Sequence, residues 1–186
     1  RAYYMDSAVY VTALDETQAV LGADEEVISD IITVSQEINP AFIAICGTPI
    51  PMITGVDFNA LAKMCEARTG IPSFGFATDG MHSYLPGIAQ AYQALARRFI
   101  EPCAEKIPLS VNILGATPLD FSVIGQIEDI NAWLTASGFT VNSCWSMGCS
   151  LEEIKRSAQA SVNLVISSAA LTTAKILEKE YHIPYV

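Results

Sequence analysis

Short apolar runs alternate with amphipathic stretches along this chain, and one such combination occurs twice. Pro40–Phe76 (PAFIAICGTPIPMITGVDFNALAKMCEARTGIPSFGF) and Ser161–Val186 (SVNLVISSAALTTAKILEKEYHIPYV) each open with an apolar run and turn through small residues into an amphipathic stretch. Each then returns through Ile-Pro, at Gly70-Ile71-Pro72 and His182-Ile183-Pro184, into a second apolar run. Buried parallel strands read as unbroken apolar runs, and the crossover between them is a helix. The pattern therefore predicts two βαβ units. In such sheets ligands sit outside the carboxyl ends of the strands, which directs the search for function to the turns.

The remaining periodicity fills in two modules. In the first, a strand is expected around Ala8–Thr12 and a helix over Ala23–Ile38, where Val27, Ile28, Ile31 and Ile32 share a face. Asp24, Glu25 and Glu26 suit the first turn of that helix, where the dipole favours acids. Phe42–Cys46 reads as a strand, Gly47–Thr54 as a Pro-rich turn and Asp57–Thr69 as a helix closed by Gly70. Ser73–Phe76 reads as a strand, Ala77–Ser83 as a loop and Tyr84–Phe99 as a long helix. Ile100–Pro108 has two prolines, a cluster of charges and no period, so it reads as a junction.

The second module begins with a strand at Leu109–Leu114 and a loop at Gly115–Phe121. Helix Ser122–Ser137, strand Thr140–Ser143 and loop Cys144–Cys149 follow. The capping box Ser150-x-x-Glu153 starts a helix to Ala158. Strand Val162–Ile166, helix Ala169–Tyr181 and strand Pro184–Val186 complete it. The expected class is α/β, with two Rossmann-like modules of mostly parallel sheet. Residues 1–105 form the first, truncated at its N-terminus, and 106–186 the second. Facing one another, their loops would rim a shared cleft.

Composition narrows the function. Of the 186 residues, 51% are hydrophobic and 16% charged, which suits a core-rich globular protein. A net charge of −10 argues against nucleic-acid binding. No apolar run reaches membrane-spanning length. The first residue is Arg1 and the last, Val186, closes a strand, so the sequence reads as a piece of a longer polypeptide. Five cysteines, none in a CxxC pair, and no visible signal peptide point to a reducing cytoplasm rather than a disulfide framework.

Self-contained catalytic signatures are missing. No Gly-x-Gly-x-x-Gly, Walker A or Gly-x-Ser-x-Gly sequence occurs, and the two histidines, His82 and His182, have no zinc-site spacing. Four strand-end turns remain. Cys46-Gly47-Thr48, running on to Gly55, places a thiol ahead of a helix, where it could ligate a metal or cluster; the plain alternative is a small buried hydrophobe. In Thr78–Ser83, Asp79 and His82 are candidate catalytic groups, against ordinary turn and cap roles. Cys144-Trp145-Ser146-Met147-Gly148-Cys149 offers an apolar pocket wall or a redox centre, against simple packing. Ser167-Ser168 offers hydroxyls at a strand end, against helix capping.

Taken together, the segments resemble the nitrogenase component 1 family, which includes the molybdenum–iron protein subunits, the scaffold that assembles their cofactor, and light-independent reductases of chlorophyll-type tetrapyrroles. Leu14-Asp15-Glu16 with Val20-Leu21-Gly22 is similar to the acidic turn before "VFGG". Ile53–Asp57 is similar to "IGDD", Asp79-Gly80 through Tyr92 to the loop and helix after the second strand, Val111–Gly115 to "VNLIG", and Ser161–Val186 to "LNLV … A … LEEKYGIPY".

The resemblance implies a fragment of a three-domain subunit, a homologous component 1-type partner subunit, and an ATP-dependent iron–sulfur reductase that delivers electrons. It implies a substrate or metallocofactor positioned for reduction, with any iron–sulfur cluster or metallocofactor belonging to the full-length complex and none expected in this fragment alone. Cys46 is then the metal candidate, and Gly47, Thr48, Gly55, Ser167 and Ser168 line the site. Two departures stand out. Pro49 occupies the position of the family's cluster cysteine before "IGDD", and Ser167 that of the thiolate that holds the molybdenum–iron subunit's cofactor. A hydroxyl substitutes poorly for a soft thiolate on iron, so no nitrogenase-type metallocofactor and no dinitrogen reduction is expected. The alternative is a cluster-free, non-catalytic subunit or a carrier of a small ligand.

Overall fold

The computed structural model describes residues 8–12 and 24–186. The described residues up to Gly87 form one compact unit, and Ile88–Val186 form the other. The motif at Leu14–Gly22 lies outside the described residues. Ala8–Thr12 are described and adopt no regular structure, so the strand expected there is not observed. A strand needs a hydrogen-bonded neighbour. Val9 and Val11 instead stand 90% and 84% exposed.

In the first unit, helix α1 (Asp24–Ile38) leads to strand β1 (Ile43–Cys46), helix α2 (Pro49–Ile53), helix α3 (Phe58–Thr69) and strand β2 (Ser73–Phe76). β1 and β2 pair in parallel, with Cys46 opposite Phe76, so the first repeat is a βαβ unit. The expected turn at Gly47–Thr54 contains a short helix instead. Pro49 is well placed for its first turn, where a missing N–H costs nothing. The Asp57 carboxylate caps α3 by accepting the N–H groups of Asn59 and Ala60, each at 3.0 Å. The core gathers Ile28, Leu61 and Cys65, joining α1 to α3, and Arg68 of α3 pairs with Glu25 of α1 at 2.8 Å.

Helix α4 (Tyr84–Phe99) carries the chain into the second unit. There follow strand β3 (Ser110–Leu114), helix α5 (Gln126–Ala136), strand β4 (Thr140–Cys144), helix α6 (Leu151–Lys155), strand β5 (Val162–Val165) and helix α7 (Leu171–Tyr181). The sheet order is β4-β3-β5, all parallel. β3 is central and buried at every residue, as its continuous apolar reading requires. α5 begins four residues later than the pattern suggested, because Gly125 holds φ 100°, outside the right-handed helical region. Single 3₁₀ turns, Arg156–Gln159 and Ser168–Ala170, replace the end of the expected 150–158 helix and the start of the 169–181 helix. The closing segment reduces to a parallel bridge between Tyr185 and Asn163.

Two features hold this unit's layers together. Leu114, Trp145, Ala158, Ala174, Leu177 and Ile183 share one core beneath α4 and α7, while Val111, Ile113, Ile127 and Leu134 form a second beneath α5. Fully buried Asn112 ties the three strands. Its Nδ2 donates to Asn163 Oδ1 and the Ser157 carbonyl, both at 2.9 Å, and its Oδ1 accepts from Asn142 and Ser143 at 2.9 and 2.8 Å. Every hydrogen-bonding position of that buried amide is used. No helix among the described residues is long and apolar enough to cross a membrane.

Candidate functional site

Because β3, β4 and β5 run in parallel, their carboxyl ends share one edge of the sheet. The ladder continues past each strand: Trp145 N–H donates to Ile113, and Ile166 N–H to Leu114, both at 2.9 Å. Gly115, Ser146 and Ser167 therefore stand just beyond the three strand ends. Gly115 has φ 95°, and a Cβ there would lie 2.9 Å from both the Cβ and the nitrogen of Ser167. Glycine permits both that conformation and that approach.

A small polar network decorates this edge. Asp120, in the loop after β3, accepts hydrogen bonds on Oδ2 from Thr117 Oγ1 at 3.1 Å and Ser167 Oγ at 3.0 Å. Ser167 also caps the 3₁₀ turn that follows, accepting the Ala169 N–H at 3.4 Å. Beyond β4, Ser146 Oγ lies 2.5 Å from the Tyr92 hydroxyl of α4. Burial pushes that phenol up to about 12, opposed in part by the Ser146 hydrogen bond and one from the Gly115 backbone. Trp145 beneath is wholly buried, edge-on to Tyr92 at 5.6 Å, and donates Nε1–H to Ser157 Oγ at 3.0 Å. The edge thus offers hydroxyls and one carboxylate to a polar molecule.

Ser167, expected as a site residue from its place after a strand, stands at this edge, and Ser168 is exposed beside it. Asp120, Tyr92 and Ser146 were not singled out. The signal for Asp120 lay in its position within a loop already marked as a strand-end turn. The thiols of Cys144, at the end of β4, and Cys149, in the loop after it, point to packing. Burial, with repulsion from Glu153, pushes Cys144 up to about 11 and Cys149 up to about 12, so neither thiol is poised as a thiolate at neutral pH.

The first unit has its own strand-end cluster. Gly47 N–H donates to Phe76 at 2.9 Å, and Thr78 Oγ1 donates back to the Gly47 carbonyl at 2.9 Å. A side chain at Gly47 would run into the Thr78 carbonyl and the Phe58 ring, so glycine allows the two turns to close. Cys46 is exposed, contrary to the buried-hydrophobe reading, because it falls on the open face of β1. Local burial still pushes its thiol up. Thr48 is the N-cap of α2 without a side-chain cap bond, and Gly55 lies exposed just past that helix. Asp79 Oδ1 accepts the Met81 and His82 N–H groups at 2.9 and 3.3 Å, and Oδ2 meets His82 Nδ1 at 2.5 Å. These bonds, the Met81 one foremost, hold the Asp79 carboxyl below the usual range.

The described donors do not by themselves make up a metal site. Among the described residues, no three His, Cys, Asp or Glu side chains are grouped to hold a metal ion. Cys46 is a single thiol with a raised pKa, and the Ser167 hydroxyl is engaged with Asp120.

Parallel α/β units with polar side chains at the carboxyl edges of their strands define a Rossmann-like α/β class of protein, in which ligands generally sit at such edges. The family model for nitrogenase component 1 type oxidoreductases matches residues 2–186, and the chain belongs to that family. It is 26% identical over 179 residues to the nitrogenase iron-molybdenum cofactor biosynthesis protein NifE of Clostridium pasteurianum, covering 95% of this chain and 38% of that protein. It is 29% identical over 194 residues to a light-independent protochlorophyllide reductase subunit from Picosynechococcus sp., covering 96% of this chain and 37% of that protein. A solved structure of nitrogenase Cp1 at pH 5 superposes with a TM-score of 0.82 at 23% identity, covering 96% of this chain and 36% of that one. The expected α/β fold is thereby shown. The chain spans somewhat over a third of the length of these relatives.

Proposed function

We propose that this chain is part of a cytoplasmic component 1-type subunit that holds a reducible small molecule at the carboxyl edge of the β4-β3-β5 sheet. An ATP-dependent iron–sulfur reductase supplies the electrons, and a homologous component 1-type subunit completes the assembly. It is not a dinitrogen-reducing subunit. Membership of the family supports the redox class. The observation that carries the finer reading is the Ser167–Asp120 hydrogen bond: the end of β5 offers a hydroxyl tied to a carboxylate, a pair suited to orienting a polar organic group rather than to binding iron. Asp120 accepts hydrogen bonds from the substrate, Thr117 and Ser167 fix that carboxylate, and the apolar layer around Trp145 limits water beneath it.

The test is anaerobic co-expression of the full-length subunit with its neighbouring subunits, followed by metal analysis, absorbance and EPR. A coloured complex that consumes reductase electrons only when a substrate is added supports the proposal. The same Ser167 hydroxyl also favours a second reading, a cluster-free subunit or small-ligand carrier. A colourless, iron-free complex that accepts no electrons would select that reading and end the redox one.

A further inference from the structure

We draw no further inference here: the strongest candidate, the exposed apolar patch of Leu119, Val123 and Ile124 on the segment between β3 and α5, in the same loop as Asp120, carries nothing because nothing in the structure shows what covers it.

Discussion

The hydroxyls of Tyr92 and Ser146 share a 2.5 Å hydrogen bond, and Ser146 holds a φ of 83° to make it. A non-glycine residue in that region carries backbone strain. The bond to a buried phenol offsets the strain and locks the loop after β4 against α4. The two effects oppose one another in Ser146→Gly, which relieves strain but removes the hydroxyl. In wild type the substitution is expected to be neutral or to cost up to about 1 kcal/mol, and in a Tyr92→Phe background to stabilise by about 0.5–1 kcal/mol. Urea unfolding of the four proteins of the cycle measures the coupling; additive values would show that the bond does not hold the loop.

Gly115 separates the ends of β3 and β5 by less than a side chain. Gly115→Ala imposes both an unfavourable φ and a contact with Ser167, and is expected to cost about 2–3 kcal/mol. It should also break the Ser167–Asp120 hydrogen bond by displacing Ser167. Comparison with Ser167→Ala separates these effects. If the polar pair matters to ligand binding, both variants lose it, and only Gly115→Ala lowers the melting temperature by several degrees.

Asn112 is the junction of all three strands in its sheet, with four hydrogen bonds and no exposure. Its removal leaves several buried partners unpaired. Asn112→Ala is expected to destabilise by about 3 kcal/mol, read as a fall in the urea midpoint. A loss under 1 kcal/mol would mean that water replaces the amide.

Three of the strands among the described residues were legible because buried parallel strands leave largely apolar runs, and IAIC, SVNIL and VNLV stand out even with Asn112 and Asn163 inside them. Local cap chemistry was legible at Ser150, which acts on the N–H three residues away, whereas Asp57 was read as the first helical residue and is the cap instead. The site was less legible. Ser167 and Asp120 are 47 residues apart, and Tyr92 and Ser146 are 54 apart. No local pattern encodes such pairings; the parallel crossovers create them. The short helix at Pro49–Ile53 was missed because proline reads as a breaker unless it is recognised at a first turn. The exposure of Cys46 was missed because an apolar run does not reveal which face of a strand is covered.

Alkaline pH should loosen the second unit first. Three of its acids are held neutral mainly by burial: Tyr92 is raised from 10.0 to about 12, Cys144 from 9.0 to about 11 and Cys149 from 9.0 to about 12. Below pH 9 both folded and unfolded chains keep these protons, and stability is flat. Above it the unfolded thiols ionise first, and above pH 10 so does the unfolded phenol. The unfolded state then binds fewer protons than the folded state, so stability falls as pH rises, until the folded groups ionise near pH 11–12. Tyr92 alone should account for a loss of about 2–3 kcal/mol between pH 10 and 12. Urea midpoints measured from pH 7 to 11.5, with tyrosinate absorbance near 295 nm, test this. Tyr92→Phe should flatten the part of the curve above pH 10, and Cys149→Ser the part that begins at pH 9. A wild-type midpoint that stays constant to pH 11 would show that these side chains are solvated in the folded protein, and the packed Tyr92–Trp145 layer beneath the site would have to be abandoned.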